Sequence, residues 1–263
     1  MNSKKIITVD FYRAVTTKSL AFSVLGVALF CFISIYQYIS INDLSQANVI
    51  DMIVLLFGLS MFKKILIIFA SIPIVSTFCQ DWNSQYIRSV IIRVGSCKYI
   101  LSKILVCHLV SFSVIFVGML LFLLVMSFFS PLALHDVNYY VGWKPFGSFL
   151  LNGQSVLYIV LNTFIFSFGI SLCVVLGMTI SAYIPNQFVA IVSPFIVGYL
   201  MEEFTYSMPA FLNLFYLTRV QFDTGRGNTI TFLYYIVVFE LLIAISGFLF
   251  AYQVKRRVSN EVV

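Results

Sequence analysis

Long apolar runs separated by short polar segments dominate this chain, and six of them resemble membrane spans. The hydrocarbon core of a bilayer is about 30 Å thick and takes roughly 20 apolar residues of helix to cross. Lipid offers no hydrogen-bond partner to backbone amides, so such runs are predicted to be α-helices. The predicted spans are residues 20–39, 65–80, 104–129, 156–183, 188–201 and 230–251. We therefore predict an all-α polytopic membrane protein, with residues 1–263 forming a single transmembrane domain.

The composition supports a lipid environment. Of the 263 residues, 61% are hydrophobic and 10% are charged, and the mean hydropathy is +1.01. Soluble domains are about 25% charged, so this chain cannot cover a water-facing globular surface. The net charge of +6 lies on segments next to predicted spans. It therefore indicates topology and lipid contact and argues against a nucleic-acid partner.

The basic residues predict the orientation. Four, four and three of the 16 lysines and arginines lie in residues 4–18, 88–103 and 255–257. Six spans would put these three segments on one side of the membrane. Lysine and arginine accumulate on the cytoplasmic side of membrane proteins, so both termini are predicted to be cytoplasmic.

An amphipathic helix is predicted between the second and third spans, over residues 84–94. Ile87, Val90, Ile91 and Val94 recur at the spacing of one helical stripe. Gly95 is suited to end that helix with a positive φ angle.

The polar sides of this helix are basic, and three interpretations stay open from the residues alone. Arg88 and Arg93 could contact lipid headgroups, form a calmodulin-type target, or orient the docking of a soluble partner. Lys98 and Lys103 follow at the start of the third span, where they are predicted to be anchors at the inner interface.

The stretch FCQDWNSQYIRSVIIRVGSCKYILSK, residues 78–103, resembles the segment after the second span in membrane subunits of type 2 ATP-binding-cassette exporters. The resemblance implies six spans, cytoplasmic termini and outer re-entrant or interfacial helices between spans five and six. It also implies that helix 84–94 is the coupling helix that contacts an ATPase. The implied contact residues are Tyr86, Ile87, Arg88, Val90, Ile91, Arg93 and Val94.

The same resemblance implies the function and the partners. The chain would be the permease subunit of an ATP-driven exporter in the bacterial plasma membrane, as in bacteriocin export or immunity. It would move an amphipathic peptide, antibiotic or lipid-like substrate by alternating access. No G-x-x-x-x-G-K-[ST] run occurs, so ATP and Mg²⁺ would bind a separate P-loop ATPase. A second permease subunit would complete the pathway. The alternative is a non-transporting immunity or sensor subunit that binds a ligand at its outer loops.

Two ionisable residues inside spans are candidates for a pathway. Glu240 lies near the middle of the sixth span and His108 lies in the third. An acid at mid-bilayer is costly, so Glu240 is expected to face protein or water, with His108 among its candidate partners.

Small residues predict close helix packing in the fourth span. Gly169, Cys173, Gly177 and Ser181 recur every four residues and so share one helix face. We expect this face to pack within the chain, with a dimer seam as the alternative.

Two adjacent lysines precede the second span. Lys63 and Lys64 are expected to snorkel at the outer interface after a short helix, with the span beginning at Ile65. The alternative is one longer helix with the lysines turned toward the protein interior. Pro73 is expected to kink this span.

No enzymatic chemistry is predicted. Glu202 and Glu203 form an acidic pair, but Ser207 stands where a membrane-protease motif of the form E-E-x-x-x-R needs arginine, and both histidines come earlier in the chain. We find no catalytic set and no metal-ligand spacing among the histidines and the five cysteines.

Overall fold

A computed structural model describes residues 3–41, 47–133 and 144–261, and these ranges contain helices and no strand. The short helices flank the long apolar ones in sequence. In chain order the helices are α1 Ser3–Val15, α2 Lys18–Ile41, α3 Val49–Gly58, α4 Ser60–Ser71, α5 Ser76–Asn83, α6 Tyr86–Val94, α7 Ser96–Ser127, α8 Gly147–Leu151, α9 Ser155–Tyr183, α10 Gln187–Thr205, α11 Leu214–Thr218 and α12 Asn228–Glu261.

Six helical segments are long and apolar enough to cross a membrane, which confirms the predicted number of spans. They are Lys18–Tyr36, Met61–Asn83, Ser96–Ser127, Ser155–Tyr183, Gln187–Thr205 and Asn228–Asn260. Several extend past the predicted apolar runs, because polar residues at helix ends continue the backbone hydrogen bonding that hydropathy does not detect.

The second span is interrupted, as Pro73 predicts. Helix α4 ends at Ser71 and α5 begins at Ser76, with turns between them. Proline has no amide hydrogen and its ring obstructs the preceding turn. The amide of Val75 instead donates to the carbonyl of Ser71 over 3.0 Å.

Helix α9 is the centre of the bundle. Within its most apolar stretch 78% of the residues are buried, against 28% in the first, fifth and sixth spans. It packs against α7, α10 and α12. The fifth and sixth spans pack directly against α9, whereas the first packs against α7, and all three leave large apolar side chains exposed on their outer faces.

Both terminal segments approach one end of the bundle. The guanidinium of Arg13 lies 3.4 Å from the carboxylate of Asp81 at the end of α5. Arg257 donates to the carbonyl of Tyr183 over 2.6 Å and lies over the ring of Trp82. We call this the termini end.

The short helices between spans differ in part from the prediction. Helix α3 ends at Gly58, and Lys63 and Lys64 lie within α4, so the second span begins before the predicted Ile65. Helix α11, with turns before it, lies between the fifth and sixth spans, where short outer helices were predicted.

Candidate functional site

Helix α6 connects the second and third spans and is defined by backbone geometry at both ends. Gln85 precedes it with a φ angle of 58°, and Gly95 follows it with a φ angle of 89°. Positive φ is natural for glycine and uncommon for other residues. The helix runs from Tyr86 to Val94, two residues shorter at its start than the predicted 84–94.

The apolar stripe of α6 packs on its own chain. Ile87 and Val94 are buried, and Val90 and Ile91 are half-buried against the core. This stripe therefore attaches α6 to the bundle, and docking of another protein would rely on the opposite face. The assignment of the apolar stripe to ATPase contact stays a prediction.

The opposite face of α6 is exposed and basic, with one protruding apolar residue. Tyr86, Arg88 and Arg93 are exposed. Ile92, which the predicted contact set omits, is 85% exposed. The sequence signal that could have identified Ile92 is its position on the polar side of an amphipathic helix.

A buried charge network lies behind α6 at the termini end. The Asp81 carboxylate is 2.7 Å from the amine of Lys103 and accepts a hydrogen bond from the hydroxyl of Tyr99 over 3.1 Å. Arg13 approaches the same carboxylate from the partly exposed side. Charge-assisted hydrogen bonds are shorter and stronger than neutral ones, so they fix the positions of these partners.

The network continues to α1. Asp10 lies 3.2 Å from the amine of Lys103 and accepts a hydrogen bond from Ser102 over 2.7 Å. Lys103 is therefore buried between two carboxylates and is not the interface anchor that was predicted, whereas Lys98 is exposed. The sequence separation of these partners conceals the network from local patterns.

Helices α1, α6 and α7 form one connected unit at this end. A groove of about 90 Å³ between α1 and α6 is lined by residues of all three helices, among them Val9, Val90 and Tyr99. Arg13 of α1 also lies 5.5 Å from the ring of Tyr86 at the start of α6. Side chains of all three helices therefore meet at this groove.

A second buried polar cluster lies away from the termini end. Lys63 forms an ion pair with Glu202 and donates to the hydroxyl of Thr218 over 2.6 Å. All three are buried, so the snorkelling predicted for Lys63 is wrong. Lys63 faces inward as in the alternative, but the single longer helix of that alternative is not formed, because α3 ends at Gly58 and α4 begins at Ser60. If Lys63 were buried without the Glu202 carboxylate, its positive charge would be uncompensated. Lys64 lies 4.4 Å from the centre of the Tyr199 ring.

Arg219 extends this second cluster. Its Nη1 donates to the carbonyl of Gly58 over 3.2 Å, and its guanidinium lies 3.7 Å from the centre of the Phe215 ring. Its Nε and Nη2 have no partner among the described residues. Burial lowers the pKa of Arg219, and the Glu202 carboxylate partly offsets that effect.

His108 and Glu240 do not meet. His108 is buried and its Nδ1 hydrogen-bonds with the Ser171 hydroxyl over 2.9 Å, with its ring edge-on to Phe168. Glu240 is exposed on α12 and does not face the interior of its own chain, and the prediction that it faces protein or water stays a prediction. Hydropathy predicts a span but not which of its faces is turned outward.

The small-residue face of α9 packs within the chain. Pro194 of α10 contacts the place where a side chain on Gly177 would begin, and Gly198 approaches the sulfur of Cys173. Gly169 faces Thr218 and Phe239 in the same way, and Ser181 is buried. Close packing of small residues stabilises helix pairs where lipid removes the hydrophobic driving force.

The described part of the chain holds no group of three histidine, cysteine, aspartate or glutamate residues arranged to bind a metal ion. The five cysteines are unpaired with one another, and Cys97 alone among them is exposed. Comparison with protein-family models, curated proteins and solved structures finds no match to this chain.

Proposed function

We propose that this chain is the permease subunit of an ATP-driven exporter in a bacterial plasma membrane. It would move an amphipathic substrate by alternating access, with ATP and Mg²⁺ bound by a separate P-loop ATPase. A second permease subunit, identical or similar, would supply the other half of the pathway. Both termini and α6 would face the cytoplasm, in agreement with the positive-inside distribution of lysine and arginine.

The observation that carries this proposal is that one face of α6 packs on the bundle and the other is exposed. Its apolar stripe is held by the bundle, while Arg88, Ile92 and Arg93 project outward between two spans. An exposed isoleucine with a basic rim offers both apolar contact and electrostatic orientation to a soluble partner. A helix that only rests on lipid headgroups would not need a buried charge network behind it.

The contacts of α1 and α7 would transmit the conformational change that ATP hydrolysis drives in the partner. Asp81 and Asp10 both bind Lys103, which lies in the first turns of the third span. Arg13 links α6 to these pairs, since its guanidinium lies 5.5 Å from the Tyr86 ring and 3.4 Å from Asp81, so a push on α6 would reach the third span through this side chain. Movement of packed helices around such contacts is a general means of switching transporters between states.

Co-purification tests the proposal directly. The tagged chain should bring down a stoichiometric P-loop ATPase, and the double substitution Arg88→Glu with Arg93→Glu should weaken that association. Lys255→Glu with Arg256→Glu is the matched control, because both residues are exposed near the same end and the charge change is equal.

Both variants should insert in the membrane to the same extent. Undiminished ATPase association in the α6 variant would overturn the docking role. Ligand binding by a chain that never associates with an ATPase would favour the immunity or sensor function.

A further inference from the structure

A long groove lies on the outside of the bundle between α7 and α12. Its volume is about 410 Å³, and its walls are apolar, including Leu101, Leu105, Ile243 and Phe248. Phe248 is 72% exposed and Leu101 is also exposed, so the groove opens sideways to the surface that lipid would cover. Pockets for drug-sized ligands have volumes of about 300–1,000 Å³ and largely apolar walls.

Gly247 forms part of the groove where α12 comes nearest to α7. A side chain there would begin 3.1 Å from a methyl carbon of Ile104. The two helices therefore lie in close contact at this level, and the groove has a floor made of protein.

One carboxylate lies in this apolar wall. Glu240 is exposed and makes no hydrogen bond or ion pair with any other residue that the structure describes. A charged side chain in mid-bilayer is costly and marks a functional position unless a partner compensates it. No described residue of its own chain therefore compensates the charge of Glu240.

The groove extends from mid-span toward the termini end. Glu240 and Lys255 both line it, and fifteen residues of α12 separate them, which corresponds to roughly 22 Å of helix. Cys97 lies in the wall near the Lys255 end. A ligand that reaches Glu240 from the bilayer would thus place its cationic group deep in the span and its apolar body along the groove.

Among its described residues, a second copy of this chain would bring no mid-span lysine or arginine that is free to pair with this carboxylate. Lys63 and Lys103 are held in buried ion pairs, and Lys64 lies over Tyr199. The other described basic residues of the spans lie near helix ends. A phospholipid does not complement it either, because its acyl chain carries no charge to this depth.

We propose that the groove binds amphipathic cations that enter from the bilayer, with Glu240 as the residue that selects the positive charge. The apolar walls bind the body of the ligand, and the carboxylate neutralises its cationic group in a low-dielectric environment, where ion pairing is strongest. This inference deepens the proposed function by assigning the amphipathic substrate a positive charge.

Binding of radiolabelled tetraphenylphosphonium to the purified chain in lipid nanodiscs tests this site. The bulky cation should bind saturably, and Glu240→Gln should weaken its binding by roughly tenfold or more, the equivalent of one lost charge contact. Glu203→Gln is the matched control, since Glu203 is also exposed but lies in another helix. The uncharged analogue tetraphenylmethane should compete roughly tenfold or more weakly than the unlabelled cation, because it lacks the charge contact.

Cys97 provides a second readout at the groove. It is the exposed member of the five cysteines, so its alkylation by N-ethylmaleimide should slow in the presence of tetraphenylphosphonium. The slowing should disappear in the Glu240→Gln variant. This signal does not depend on the amount of cation that partitions into lipid.

Three outcomes would overturn the proposal: equal binding by wild type and Glu240→Gln, competition by the neutral analogue as strong as that by the unlabelled cation, or efficient disulfide cross-linking of Cys97 between two copies. The last would mean that a second copy covers the groove. No ATPase is present in these assays. A failure here therefore leaves the proposed export function intact, and loss of ATPase association would leave the binding result intact.

Discussion

Lys63 of the second span and Glu202 of the fifth form a buried ion pair that joins residues 139 positions apart. Thr218 of α11 accepts a further hydrogen bond from the same lysine. The pair therefore connects α4 and α10 to the short helix that precedes the sixth span.

Glu202→Gln should destabilise the protein strongly, because it leaves the Lys63 ammonium buried without a carboxylate. Breaking a buried ion pair from one side costs about 3–5 kcal/mol. The free energy of unfolding, measured by denaturant titration in detergent micelles, should fall by this order. The combined variant Lys63→Met with Glu202→Gln should lose less than the sum of the single variants.

Glu203→Gln is the control for that loss. Glu203 is adjacent in sequence but exposed, so its substitution should leave the unfolding free energy almost unchanged. Equal losses in Glu202→Gln and Glu203→Gln would contradict a buried ion pair.

Asp81→Asn should loosen the attachment of α1. The substitution weakens the contacts to Lys103 and Arg13, while Asp10 still pairs with Lys103. We therefore expect a loss of about 1–3 kcal/mol, the cost of a poorly satisfied buried charge. Amide hydrogen exchange in α1 should become faster than in wild type.

Arg13→Gln is the comparison for this prediction. The Arg13 side chain is 45% exposed and lies 3.4 Å from Asp81, so its removal should cost less than about 1 kcal/mol. A larger effect from Arg13→Gln than from Asp81→Asn would mean that the Lys103 contact does not stabilise this end.

The sequence predicts the number of spans because a bilayer imposes a length and a hydropathy on each one. The small-residue face of α9 was also accessible, since a four-residue spacing defines one side of a helix. The amphipathic stripe of α6 was accessible for the same reason, and Gly95 marked its end.

The partners of the buried charges were not accessible from local patterns. Lys63 was expected at the interface because its carboxylate partner lies in another span, far along the chain. Lys103 was misjudged in the same way, since Asp10 and Asp81 approach it from separate helices. Glu240 was expected to face protein or water, and the sequence could not show which, because the direction in which this side chain points depends on how α12 packs.

The stability conferred by Asp51 should depend on pH. Asp51 lies in the first turn of α3, and burial raises the pKa of its carboxyl above the ordinary value of 3.8, while hydrogen bonds from Asn48 and Tyr38 oppose the change. The folded chain therefore holds this proton more tightly than the unfolded chain. Stability is lost as pH rises from the ordinary pKa through the raised one.

Asp51→Asn removes this titration and keeps an oxygen that can accept from Asn48. The variant should melt at a higher temperature than wild type at pH 7, and the difference should shrink as pH falls toward 3.8. Melting curves at several pH values in detergent would check this. A difference that is constant with pH would show that Asp51 acts through packing alone.

The contact between Gly177 and Pro194 should tolerate no added side chain. A Cβ atom on Gly177 would overlap the proline ring of α10, and neither the ring nor the central helix α9 can move without repacking the core. Gly177→Ala should therefore lower the free energy of unfolding by about 1–3 kcal/mol, as overpacking usually does.

Gly58→Ala is the matched control, because a Cβ atom there meets nothing within 4 Å and the φ angle is not positive. That variant should be neutral or slightly stabilising, since alanine has a higher helix propensity than glycine. Equal unfolding free energies for the two variants would contradict the close approach of α9 and α10.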